Sequence, residues 1–146
     1  MTTPATTLNE LIEITRDGQN FYTEAVTRVH SPLLKAVFHG IIDGKTQLIR
    51  ALSEHVRARG EMPSHHGTLF GTFQKLYAEV RVRLSDRNDA AFVARLEESE
   101  DRLLDAFEAA AAATDDASVR EIILRHLPKV RLCHEQMRNL KMSLAA

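Results

Sequence analysis

Apolar residues recur along this chain every three to four positions, and nowhere do they alternate with polar ones over the length of a strand. That spacing lays one hydrophobic stripe along each of several helices. The first helix is predicted over 8–29, with Leu8, Leu11, Thr15, Gly18, Tyr22, Ala25 and Val29 on one side and Glu10, Glu13, Asp17 and Glu24 on a solvated opposite side. Thr7 and Glu10 have the spacing of a capping box that would start it. His30, Ser31 and Pro32 interrupt the pattern, Ser31 as a cap and Pro32 at the first position of a second helix over 32–59. This second helix carries Leu34, Val37, Phe38, Ile41, Lys45, Leu48, Leu52 and Val56 inward and stops at Gly60, which suits a left-handed turn. Residues 61–67, EMPSHHG, read as a loop. A shorter helix over 68–84, a polar break at 85–89, and helices over 89–113 and 117–143 complete the chain. The last helix keeps its periodicity through Pro128, so a kink is expected there and not an end.

The fold class is all-α, and 146 residues suit a single domain. Connections as short as 30–32 force consecutive helices to lie antiparallel. The pattern therefore describes an up-down four-helix bundle, made of two hairpins joined by a crossover that carries the shorter helix.

Three polar residues intrude on the apolar stripes. Glu100 falls among Val93, Leu96, Leu103 and Phe107, Lys45 lies between Ile41 and Leu48, and His134 lies beside Val130 and Met137. A buried charge is costly unless it is paired, so these residues are expected to meet. Counting back from the turn at 30–32 brings Lys45 beside Gly18 and Tyr22. A glycine in mid-helix costs about 1 kcal/mol relative to alanine, which is understandable if its missing Cβ makes room for a long side chain. The expected centre is a core polar network of Lys45, Glu100, His134 and Tyr22.

DGQNFYTEA in the first helix, RARGEMP before the loop, ESEDRLLDAFEAA in the fourth and CHEQMRNL in the last together resemble a bacterial family of ferritin-like four-helix-bundle proteins of unknown function, described as stress-related. The resemblance spans 8–140. It implies a ferritin-like bundle with the 68–84 helix as crossover, and it implies no particular reaction.

Ferritin-like bundles that hold two iron or manganese ions use a glutamate from each of two helices and a Glu-x-x-His motif from each of the other two. Here Arg131 stands three residues before His134, Ile123 before His126 and Leu52 before His55. Glu24 falls on the side of its helix away from the core. Only Glu100 and His134 have suitable positions, and Lys45 brings a positive charge into the same volume. The reading is thus a non-enzymatic bundle without a cofactor, with an iron or manganese protein using Glu100 and His134 as the alternative. His65 and His66, with His55, are candidates for an adventitious surface metal site. His126 reads as a satisfied core or interface residue.

Lys and Arg total 19 against 20 acidic residues, and the signs alternate along the chain, so nothing draws it to nucleic acid or an anionic membrane. No apolar run approaches the roughly 20 residues of a transmembrane helix, and the N-terminus has no secretory pattern. The lone Cys133 cannot form an internal disulfide and fits a small core position in a reducing, cytoplasmic setting. It is not aimed at His134, because adjacent helical positions diverge by about 100°. Phosphate-binding loops and nucleophile elbows are missing from the sequence. The expected output is association, as a homodimer or with another protein, through leftover apolar positions such as Ile14, Phe21 and Ile42.

Overall fold

The computed structural model describes residues 3–67 and 89–145; the short helix predicted over 68–84 lies outside them. The described residues form four α-helices and no strand: α1 (Pro4–Arg28), α2 (Pro32–Ala58), α3 (Asp89–Ala113) and α4 (Ala117–Ala145). No helix among them is long and apolar enough to cross a membrane.

The helix ends follow from local chemistry. α1 begins one turn earlier than the Thr7 capping box predicts, because Thr3 and Pro4 supply both a cap and a first-turn proline; the Thr3 side chain accepts from the Thr6 amide at 3.1 Å. At α2, Ser31 Oγ accepts from the Leu34 amide at 3.2 Å and Pro32 opens the first turn. α2 ends in a Schellman motif: Gly60 adopts φ 76°, its amide donates to the Arg57 carbonyl and the Glu61 amide to that of Val56. α4 runs as one α-helix through Pro128, whose ring faces outward.

Contacts between helices fix their directions. On α1 and α2, Gly18 faces Lys45 and Tyr22 faces Phe38, so the two run antiparallel. On α3 and α4, Glu97 faces Lys141 and Glu108 faces Arg131, again antiparallel. The hairpins meet mainly through α1 and α3, while α2 and α4 scarcely touch. Asp89, at the start of α3, accepts from the amides of both His30 and Ser31 at 3.0 Å. It thereby ties the start of α3 to the turn between α1 and α2.

The end of α2 lies at the other extremity. Beyond it, residues 61–67 double back along α1: Asn9 Nδ2 donates to the Met62 carbonyl, the Ser64 amide donates to Asn9 Oδ1, Ser64 Oγ donates to Glu13 and Arg16 donates to the Ser64 carbonyl. Gly67 passes so close to Asp17 that a Cβ would overlap its carboxylate. The acidic side of α1 is therefore not simply solvated as expected. Glu13 and Asp17 lie under this segment, and Asp17 is buried.

The apolar interior divides in two. One cluster gathers Leu8, Leu11, Ile12, Ile49, Leu52, Leu103, Phe107 and Ile123, and the other Phe21, Ala25, Phe38, Ile41, Phe92, Val93, Leu96 and Met137. Between Ile41 and Ile49 on α2, and between Leu96 and Leu103 on α3, lies a polar layer.

Candidate functional site

Lys45, Glu100 and Tyr22 fill that layer. Lys45 Nζ lies 2.8 Å from Glu100 Oε1, and Tyr22 Oη donates to the same oxygen at 2.9 Å. The glutamate and the tyrosine are fully buried, and Lys45 is 4% exposed. A charged pair in so dry a place holds because each charge is the other's partner. Gly18 makes the approach possible: a Cβ there would lie 3.3 Å from Lys45 Cε. The ammonium also stands 5.5 Å from the centroid of the Tyr22 ring, whose edge is set by Phe38 in a T-shaped contact at 5.6 Å. Burial, followed by the charge of Glu100 and the hydrogen bond to it, holds the Tyr22 phenol well above its ordinary pKa, so it serves as a donor. Glu100 Oε2 has no hydrogen-bond partner among the described residues.

His134, expected in the same network, lies elsewhere. Its Nε2 contacts Asp101 Oδ1 and stands 3.9 Å from Glu97 Oε1, while Lys141 Nζ lies 3.5 Å from Glu97 Oε2. Its position on α4 turns it to the side of α3 that carries Glu97 and Asp101. Glu97 and Asp101 carry this second cluster and were not legible as site residues. The available signal is their i, i+4 spacing on the shoulder of the α3 stripe. Among the described residues, Glu97, Asp101 and His134 are the group of His, Cys and carboxylate side chains placed to share an ion. His55, His65 and His66 form no such group: His55 is on the last turn of α2, and His65 and His66 are exposed on the following segment.

Because α2 and α4 scarcely touch, an apolar groove of about 350 Å³ opens between them, walled by Leu48, Ala51, Val130 and Cys133 with Leu103 and Lys45 at its floor. Leu48, expected fully inside, instead lines this groove, and Ile49 takes the core position. His126 and Lys129 flank it. Burial, then the charges of Lys129, Arg125 and His55, lowers the His126 pKa. Burial raises that of the Cys133 thiol, with Glu100 adding to the shift and Lys45 opposing it. Leu132 on the rim and Leu124 two turns before it are 64% and 50% exposed, with exposed Pro128 between them on the same side of α4. The apolar positions expected to remain at the surface are not there: Phe21 is buried, and Ile14 and Ile42 pack against the two core clusters.

A family model described as a domain of unknown function, DUF2383, matches residues 3–113. The chain belongs to the DUF2383 family. No curated protein and no solved structure matches it. The DUF2383 match takes in Tyr22, Lys45, Glu97, Glu100 and Asp101 and ends with the last residue of α3. In this DUF2383 chain, α4, which brings His134 and the second wall of the groove, follows the matched stretch.

Proposed function

We propose that this DUF2383 protein is a non-enzymatic ferritin-like bundle that works by associating with a second copy of itself. The observation that carries the reading is the groove between α2 and α4 beside the ridge of Leu124, Pro128 and Leu132. An isologous dimer needs one surface to be complementary to itself, and a groove and a ridge on the same helix supply both halves of such a contact. Burial of the ridge would also remove two largely exposed leucines from water, at about 25 cal/mol for each Å² of apolar surface.

The ferritin-like plan is supported by helix direction. α2 ends at one extremity, and α3 begins at the other, beside His30 and Ser31. With 27 residues in α2, at 1.5 Å per residue, these two ends stand about 40 Å apart, and residues 61–67 already run back along α1 to Asp17. A crossover between two hairpins has this geometry. The resemblance to a bacterial stress-related family and the lone thiol support a cytoplasmic setting.

The paired iron or manganese centre of ferritin-like bundles does not fit the residues here. The Lys45 ammonium lies on Glu100 Oε1, where it would repel a cation, and the sequence contains no Glu-x-x-His. The midplane instead serves as a fixed joint between α1, α2 and α3.

Light scattering of tag-free protein across a dilution series tests the association. A dimer that becomes monomeric on Leu132→Glu or Leu124→Glu, with helicity retained, is the expected result. A wild-type monomer at the highest concentration, or a dimer indifferent to both changes, would overturn it.

A further inference from the structure

We propose that Glu97, Asp101 and His134 form a site for one divalent transition-metal cation, zinc or manganese, that clamps α3 to α4. The two carboxylates lie one turn apart on α3 and the imidazole faces them from α4. One ligating atom from each residue can be chosen so that all three lie within 4.8 Å of one another. Metal–nitrogen and metal–oxygen bonds of about 2.0–2.2 Å need such atoms about 3–3.5 Å apart, an adjustment that small side-chain rotations supply.

The cluster differs from an ordinary patch of surface acids. The Glu97 side chain is only 10% exposed, and its nearest partners, Lys141 and His134, lie at 3.5 Å and 3.9 Å, at or past the limit of a hydrogen bond. Nε2 of His134 is enclosed and makes no hydrogen bond of acceptable geometry, although it touches Asp101. A carboxylate nine-tenths buried and an imidazole nitrogen without a hydrogen bond thus converge on one point. Beyond the ion-pair contact of His134 with Asp101 and the long contact of Glu97 with Lys141, neither satisfies the other, and a cation between them would satisfy both. Asp101, with its side chain half exposed, opens the site to solvent and provides an entry path. Lys141, at 45% exposure, is free to swing outward when a cation takes over the charge of Glu97.

The donor set defines the ligand class. One imidazole and two carboxylates without a thiolate suit zinc or manganese, with water completing the coordination. This site uses none of Lys45, Glu100 and Tyr22 and does not depend on self-association, so either proposal can fail alone.

The test is isothermal titration of tag-free, chelator-treated protein with zinc chloride, paired with thermal melts with and without zinc. About one zinc per chain is expected, with a rise in Tm that EDTA reverses. His134→Gln and Asp101→Asn should each weaken binding roughly tenfold or more, while a His65→Ala, His66→Ala double variant binds as the wild type does. Asp101 lies at the surface, so its variant retains the fold, as circular dichroism would verify. Absence of binding up to roughly millimolar zinc, far weaker than protein zinc sites, would overturn the site. So would binding that survives both the His134 and Asp101 changes, or binding that disappears with the histidine pair.

Discussion

Lys45 and Glu100 approach to 2.8 Å across the interface of the two hairpins, buried between apolar clusters above and below. Removal of one partner leaves the other charge buried alone, which typically costs about 3–5 kcal/mol. Lys45→Met should therefore destabilise the fold by that amount in urea denaturation. Lys45→Met combined with Glu100→Leu should recover much of the loss, because neither charge then remains. A single variant as stable as the wild type would show that the pair is not desolvated.

Tyr22 gives Glu100 its second contact, and Tyr22→Phe removes the hydroxyl while keeping the ring against Phe38. A hydrogen bond to a charged group contributes about 2 kcal/mol, so this variant should lose less than Lys45→Met. The phenol itself should resist ionisation. Its pKa is raised on folding, so the folded state holds its proton while the unfolded state loses it near pH 10. The contribution is present below that pH and falls as pH rises through it. In a Tyr77→Phe background, ultraviolet titration should show phenolate only as the protein unfolds in alkali.

Gly18 is the position where a side chain would strike the network. Lys45 is pinned to Glu100 and has little freedom to retreat, so Gly18→Val should overpack the layer and cost about 1–3 kcal/mol. Gly40 and Gly44 on α2 have open space where a Cβ would be. Gly40→Ala should be neutral or slightly stabilising, through a gain in helix propensity of about 1 kcal/mol. The denaturation midpoint should fall for Gly18→Val and hold or rise for Gly40→Ala.

His126 should make stability fall in mild acid. Its folded pKa is lowered from an ordinary value of about 6.5. Between the two values the unfolded chain binds a proton that the folded chain resists, and stability rises with pH there. From pH 7.5 to 5.5 the wild type should lose more stability than His126→Gln, because that variant has no proton to take up. Equal pH dependence in the two proteins would count against burial of this ring.

Cys133 should react slowly. Its raised pKa reduces the thiolate that attacks alkylating reagents, and its position on the groove wall restricts access. Iodoacetamide labelling in native buffer should lag far behind labelling in urea. If a second copy fills the groove, Leu132→Glu should speed the native reaction as the dimer dissociates.

Hydrophobic spacing in the sequence determined much of this protein: four long amphipathic helices, the short turn at 30–32, the left-handed stop at Gly60, and the meeting of Lys45 with Gly18 and Tyr22. Each depends on helical periodicity or on distance from a tight turn, and both are local properties. The destination of His134 is not local. The angular offset between α3 and α4 turns its ring toward Glu97 and Asp101 instead of Glu100, and only packing sets that angle. The same holds for the acidic side of α1, which the sequence leaves to water and the returning segment at 61–67 covers. Phe21 is buried, while Leu124 and Leu132 remain outside, because the spacing between helices decides which of several apolar positions has a neighbour. Periodicity says that a residue lies near the inner side of a helix; the tertiary structure alone supplies what stands opposite.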